Sequence, residues 1–150
     1  MITRLTSADI PRMRALNALF ADAFDDPATY GHDWPDDAYL ATTLAAPHII
    51  VLVAQDGDAV IGGLVAYELP KLELARSEIY IYDLAVASTH RRRGIATALI
   101  RALNPIAQSC GAYVSFVQAD HGDAPAIALY TKLGVREDVL HFGIAVDDVS

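Results

Sequence analysis

Two groups of residues in this 150-residue chain have the chemistry of a site. The first is the stretch His90-Arg91-Arg92-Arg93-Gly94-Ile95-Ala96-Thr97. A glycine lets the backbone come close to a ligand, and the start of a helix leaves several N–H groups without partners. Those donors, the helix dipole and three arginines together make an anion site, most naturally for a pyrophosphate. Arginines at a helix N-terminus are electrostatically misplaced, so three of them are a cost unless an anion sits among them. The alternative is a solvated arginine cluster. The dinucleotide fingerprint Gly-x-Gly-x-x-Gly and the Gly-Lys-Ser/Thr of a P-loop are both absent. The second group is Asp83, which interrupts the apolar run Ile79-Tyr80-Ile81-Tyr82-Asp83-Leu84-Ala85-Val86. A carboxylate there is costly unless it is partnered or wet, which makes it a candidate general base. Glu78, at the start of the same run, is the reserve, acting directly or through water.

The elements that must position these groups follow from periodicity. Ile79 and Ile81 alternate against Tyr80 and Tyr82, so Glu78 to Val86 reads as a strand. Ile95, Leu99, Leu103, Ile106 and Cys110 recur every three or four residues, so a helix follows the basic loop and runs to Ser109. Pro105 inside it predicts a kink or break, and Gly111 a C-terminal cap. Upstream, Ile2 to Leu5 is a short strand. Thr6-Ser7-Ala8-Asp9 offers a cap to a helix with Met13, Leu16, Leu19 and Phe20 on its apolar face, ending near Phe24. Asp25 to Pro35 is a loop. A second helix spans about Asp36 to Ala46 with Tyr39, Leu40 and Leu44 inward. Ile49 to Ala54 and Ala59 to Leu69 form a hairpin about Asp56-Gly57-Asp58, with Gly62-Gly63 marking a bulge or close packing. Ala112 to Ala119 is a strand. Asp123 caps a helix from Ala124 to Leu133, ended by Gly134, and Asp138 to Val146 is a last strand. The order predicts an α+β domain over residues 1–150, a central mixed β-sheet flanked by about four helices.

Composition narrows the function. The single Cys110 excludes an internal disulfide, fits a reducing compartment and reads as core. No stretch is apolar enough to span a membrane and no signal-peptide region opens the chain, so a cytoplasmic protein is expected. The net charge of −8 argues against nucleic acid as the main partner. His32, His48, His90, His121 and His141 show no metal-ligand spacing, so no metal site is expected. From Ala15 to Pro70 there is no Lys or Arg, while Asp22, Asp25, Asp26, Asp33, Asp36, Asp37, Asp56, Asp58 and Glu68 all fall there. An acidic face beside a basic anion loop suggests two ligands of opposite charge; plain solubility is the alternative. Asp33, Asp120 and Asp123 are the carboxylates expected to hold a polycation, with His121 beside them. Tyr30 and Trp34 form either an aromatic wall for a ligand or a staple over the core.

Leu84-x-Val86 followed by Arg91-x-x-Gly94-x-Ala96 resembles the acetyl-coenzyme A loop of the GNAT superfamily of N-acetyltransferases, whose pattern Arg/Gln-x-x-Gly-x-Gly/Ala admits Ala96. Ala126-Ile127-Ala128-Leu129-Tyr130-Thr131-Lys132-Leu133-Gly134 is similar to the superfamily's helix carrying the catalytic tyrosine. Ser77 to Val86, Gly111-Ala112-Tyr113-Val114, Val117-Gln118-Ala119-Asp120 and His141-Phe142 resemble, more closely, the type I aminoglycoside 3-N-acetyltransferases. The likeness covers nearly the whole chain and is strongest from Tyr67 to Phe142.

This resemblance implies acetyl transfer from acetyl-coenzyme A to the 3-amino group of a gentamicin-type aminoglycoside, by direct attack in a ternary complex, conferring resistance. It implies that Arg91, Arg92, Arg93, Gly94, Ile95, Ala96 and Thr97 hold the pyrophosphate and that Leu84, Ala85 and Val86 pair with the pantetheine arm. The strand carrying them should bulge and splay from the Ala112 strand. Asp83 would be the base, Tyr130 the proton donor to the leaving thiolate, and Tyr30, Asp33, Glu78, Asp120, His121 and Asp123 acceptor residues. Family members are often dimeric, so a homodimer is also implied. Acetylation of another small polycation such as a polyamine, or an inactive acetyl-coenzyme A-binding module, are the competing readings.

Overall fold

The computed structural model describes residues 1–30 and 35–147. The chain divides into two compact units, Met1–Gln118 and Ala119–Ser150.

The first unit is built on one five-stranded sheet in the order β1-β2-β3-β4-β5. The strands are β1 (Ile2–Arg4), β2 (Ile49–Asp56), β3 (Ala59–Pro70), β4 (Ser77–Val86) and β5 (Ala112–Val117). The first four are antiparallel neighbours, and β5 runs parallel to β4. β2 and β3 are the expected hairpin, closing on Gly57 with φ of 60°. Helix α4 (Ile95–Ser109) provides the crossover between β4 and β5 that a parallel pair requires. Its Leu99, Leu103 and Ala107 are buried against Leu52, Leu64, Ile79 and Ile81. Helix α1 (Ile10–Ala23) and helix α3 (Asp37–Ala45) cover the other face. There Met13, Leu16, Phe20, Leu40 and Leu44 meet Val51, Val53 and Val65. Helix α2 (Pro27–Tyr30) is a single turn after α1.

The start of α1 shows how local chemistry sets an element. Thr6 N–H and Oγ1 both donate to Asp9 Oδ2, at 2.8 and 3.1 Å. That bond from the Thr6 backbone, the largest influence, holds the Asp9 carboxyl below the ordinary range. Gly62 and Gly63 serve both expected purposes. The register slips between Ala54 and Gln55, leaving Ile61 as the extra residue of a bulge beside Gly62. A Cβ on Gly63 would stand 2.5 Å from Leu16 Cδ1 and 2.7 Å from the Leu52 carbonyl. Only glycine lets α1 lie that close to β3.

Two expectations about this unit are corrected. Pro105 does not end its helix, which continues to Ser109. The proline is exposed, so the bond it removes faces water, and Leu103 and Ala107 anchor the helix on either side of it. Tyr39 is 61% exposed rather than inward. Leu40 and Leu44, four apart, are the buried stripe of α3, and Tyr39 lies beside it.

The second unit carries α5 (Ala124–Leu133). Asp123 Oδ1 accepts Ala126 N–H at 3.2 Å, and Gly134 N–H closes the other end on the Tyr130 carbonyl, as expected. The predicted strand from Asp138 to Val146 does not form. Alternation in sequence defines two faces, but a strand also needs a neighbour for its N–H and C=O groups. Leu140, Phe142, Ile144 and Val146 stand 76 to 99% exposed. Among the described residues no helix is long and apolar enough to cross a membrane.

Candidate active site

The geometry of the site begins with one extra residue in β4. Val65 pairs with Asp83 and Ala66 with Ile81, so Tyr82 has no partner on β3 and forms a bulge. Before the bulge, Ile79 and Ile81 point to the α4 face. Strict alternation would send Asp83 there too, into the core. The inserted Tyr82 shifts the alternation by one, and Asp83 falls instead on the face of α1 and α3. There it lines a cleft of about 180 Å³ with Asn17, Tyr39, Thr43 and Tyr67. The bulge therefore removes the desolvation conflict that the bare sequence posed.

Asp83 is held by a residue distant in sequence. Tyr30 Oη donates to Asp83 Oδ1 at 2.9 Å. The Tyr30 ring packs edge-on to Phe20 at 5.8 Å and tilted on Phe24 at 5.5 Å. Burial pushes the Asp83 carboxyl above the ordinary value, and the Tyr30 bond opposes that shift. Three more tyrosines gather nearby. Tyr82 lies edge-on to both Tyr67 and Tyr80, at 5.8 and 5.5 Å, and Tyr80 stacks on Phe116. Burial and then the charge of Asp83 raise the Tyr67 hydroxyl. Among the described residues Asp83 accepts from a neutral phenol and forms no ion pair, which suits taking a proton from an ammonium or its hydrating water.

Beyond the bulge β4 has a free edge. β5 pairs with β4 only from Ser77 to Ile81, ending at Val117. Tyr82 to Val86 thus has β3 on one side and, among the described residues, no strand on the other. The bulge is the one expected for the strand; β5 ends at Val117, still paired with Ile81. The edge leads through the helical turn Ser88–His90 into the basic loop.

That loop has the form of an anion cradle. Arg92 and Gly94 both have positive φ, 63° and 73°. The first bond within α4 runs from Ala98 N–H to Gly94 O, so the N–H groups of Ile95, Ala96 and Thr97 have no partner inside the helix. No side chain caps them and no acid lies in the first turn. Among the described residues none of Arg91, Arg92 or Arg93 takes part in an ion pair. A non-glycine residue in the left-handed region is strained, and such strain persists where a binding surface requires it.

A profile of the Acetyltransferase (GNAT) family matches residues 13–135. The chain belongs to the GNAT acetyltransferase family. Members use acetyl-coenzyme A. An aminoglycoside acetyltransferase from an uncultured soil metagenomic sample superposes with a TM-score of 0.96 at 52% identity, over 98% of each chain. A second, from another such sample and solved in complex with sisomicin, gives 0.90 at 32% identity, over 98% of this chain and 96% of that one. Among curated relatives, rat N-acetyltransferase 8B is 29% identical over 90 residues, 60% of this chain. The chain spans 40% of that relative's length. An N-alpha-acetyltransferase of Sulfurisphaera tokodaii is 30% identical over 87 residues, 51% of this chain and 52% of its own. The α+β fold, a five-stranded mixed sheet with five helices among the described residues, is the GNAT fold.

The remaining candidates fall out as follows. Glu78 lies on β4 but is engaged: Tyr113 Oη donates to its Oε1, and Lys71 Nζ stands 3.6 Å away. Arg76 lies 3.8 Å over the Tyr113 ring. Most acids of the Ala15–Pro70 segment also have internal partners. Asp26 accepts Thr29 N–H, Asp36 caps α3, Asp37 pairs with Arg14, Asp56 faces His90 and Glu68 accepts Ser77 Oγ. Asp22, Asp25 and Asp58 are exposed. Asp33 and Trp34 lie outside the described residues. In the second unit Asp123 is the helix cap, Asp120 and His121 are exposed, and Tyr130 lies on α5. Burial and then the charge of Asp123 raise the Tyr130 hydroxyl. Among the described residues no three His, Cys, Asp or Glu side chains group as metal ligands. Cys110 packs against the core and donates its thiol to the Ala107 carbonyl at 3.3 Å. Tyr39, expected to face inward, and Tyr67, which periodicity did not single out, both line the Asp83 cleft.

Proposed function

We propose that this chain transfers the acetyl group of acetyl-coenzyme A to the 3-amino group of a gentamicin-type aminoglycoside, by direct attack in a ternary complex, and so confers resistance. The observation that carries the reading is the re-aimed Asp83 carboxylate, set in an open cleft beside a free strand edge that leads into the anion cradle. The likeness to two aminoglycoside acetyltransferases supports the acceptor class.

In this reading the N–H groups of Arg92 to Thr97 and the side chains of Arg91, Arg92 and Arg93 bind the pyrophosphate. Leu84, Ala85 and Val86 offer their backbone edge to the pantetheine arm, and an N–H near Val86 faces the thioester oxygen as it becomes an anion. Asp83 takes the proton of the acceptor ammonium. The neutral amine then attacks the thioester carbon and the C–S bond breaks as the tetrahedral adduct collapses; Tyr130 gives its proton to the coenzyme A thiolate, the second proton lost by the attacking nitrogen restores the Tyr130 hydroxyl, and Asp83 releases its proton to solvent. Asp33, Glu78, Asp120, His121 and Asp123 are proposed acceptor contacts, with Glu78 as reserve base; Tyr30, expected among them, instead bonds Asp83. Residues 1–150 act as one cytoplasmic acetyltransferase domain. The exposed alternation Leu140, Phe142, Ile144, Val146 supports a homodimer, which light scattering would detect.

Thiol release measured across a panel of aminoglycosides and polyamines, with mass spectrometry and NMR of the product, tests the reading. The expected product is acetylated at the 3-amino group. Tyr130→Phe should lower kcat about 10²-fold or more at unchanged coenzyme affinity. Turnover of spermidine but no aminoglycoside would replace the acceptor assignment.

A further inference from the structure

The hydroxyl of Tyr30 comes to Asp83 from a separate element, and its approach is specified by packing. Its ring rests on Phe20 and Phe24 of the α1 end, and the single turn α2 delivers it. The two residues are 53 positions apart. Among the described residues no other side chain donates to Asp83 and no cation pairs with it. Among the described residues, the titratable groups around it are Tyr67 of β3, Tyr80 and Tyr82 of β4 and Tyr39 of α3, with Asp26 acting on Tyr30 from the loop after α1.

We propose that Tyr30 is a positioning residue for Asp83, fixing the carboxylate toward the cleft and holding it ionised there, rather than an aromatic wall for the acceptor. One carboxylate oxygen is occupied by the phenol, which leaves Oδ2 as the atom presented to an incoming amine. A half-buried carboxylate with no cation needs a donor to stay charged, and a neutral phenol supplies one without competing for the proton. A lysine or arginine in that place would hold the charge but weaken the base. The bulge at Tyr82 aims Asp83, and Tyr30 then sets its rotamer. This inference rests on the reading of Asp83 as the base, and the test separates the two.

The test compares wild type with Tyr30→Phe, which keeps the ring on Phe20 and Phe24 and removes the hydroxyl. The Asp83 carboxyl is titrated by carbon-13 NMR in aspartate-labelled protein, the Asp83→Asn spectrum giving the assignment, and kcat/KM is followed against pH. Removing the donor should move the Asp83 titration upward by about one pH unit, the worth of a hydrogen bond to an ionised group. The acidic limb of kcat/KM should move with it, while acceptor KM at high pH stays unchanged. Replacing Tyr30 by 3-fluorotyrosine, a more acidic phenol that preserves packing, should move both downward. An NMR titration that moves while the kinetic limb stays supports the positioning role and overturns Asp83 as base. An Asp83 titration indifferent to both replacements, or a raised acceptor KM as the sole effect, overturns the proposal.

Discussion

At the scale of single residues, the site places a carboxylate where solvation is poor and compensates with neutral donors. Asp83 has its pKa raised by burial, against the lowering effect of Tyr30. A carboxyl whose folded pKa exceeds its unfolded value binds protons more tightly in the native state. Stability is then greatest below the unfolded value and falls as pH rises through the window between the two. At neutral pH the folded protein carries that cost in full. Asp83→Asn keeps an oxygen to accept from Tyr30 and removes the charge. Calorimetry should find it melting above wild type at pH 7, with the gap closing near pH 4, although acetyl transfer is lost. A variant that melts below wild type at both pH values would show that Asp83 is not held against a desolvation cost. Such an exchange of stability for function is common where a site must stay poorly solvated.

At the scale of elements, two glycines on different strands and loops set the frame. Gly63 lets α1 approach β3, and a Cβ there would meet the Leu52 backbone as well as Leu16. The backbone cannot give way as a side-chain tip can, so Gly63→Ala should destabilise by about 1–3 kcal/mol, measured as a lower midpoint in urea. No change in midpoint would mean the α1 packing is looser than its geometry indicates. Gly94 begins α4 in the left-handed region with open space beside it. Gly94→Glu therefore has room for its side chain but sets a negative charge against the anion cradle. Calorimetric titration should show acetyl-coenzyme A bound about tenfold or more weakly, since one like-charge contact costs roughly 1 to 4 kcal/mol depending on solvation. Gly94→Ala, which introduces the strain without the charge, is the control and should bind more tightly than Gly94→Glu.

At the scale of the whole molecule, a net charge of −8 coexists with three adjacent arginines that form no ion pair among the described residues. Several acids of the first half are engaged in caps and ion pairs, so fewer are free for a ligand than their number in the sequence suggests. On the proposed reading, the field of the remainder attracts the polycationic acceptor. Exposed charges are screened beyond about 8 Å at physiological salt. Acceptor KM should rise with added salt more steeply than KM for acetyl-coenzyme A, whose proposed pyrophosphate site includes backbone N–H groups as well as arginines. Equal salt slopes for both would mean the acidic surface serves solubility alone.

The sequence by itself determined what depends on neighbours along the chain. The basic turn Arg91–Gly94, the helix after it, the Asp123 cap, the hairpin about Gly57 and the anomalous carboxylate Asp83 are all local in origin, because capping, turn conformation and periodicity act over a few residues. The match of Arg91, Gly94 and Ala96 to the GNAT loop is of the same kind. Tertiary structure alone decided where those groups face. The bulge at Tyr82 is a register relation between β3 and β4, and nothing within β4 specifies it, yet it moves Asp83 from the α4 face to the cleft. The Tyr30 bond to Asp83 depends on Phe20, Phe24 and the path of the chain between α1 and β4. Asp138 to Val146 alternates as a strand would and forms none, since a ladder is made by a partner. Pro105 favours a kink or break by its local chemistry and does not end the helix here, because Leu99, Leu103 and Ala107 bind that helix to the sheet.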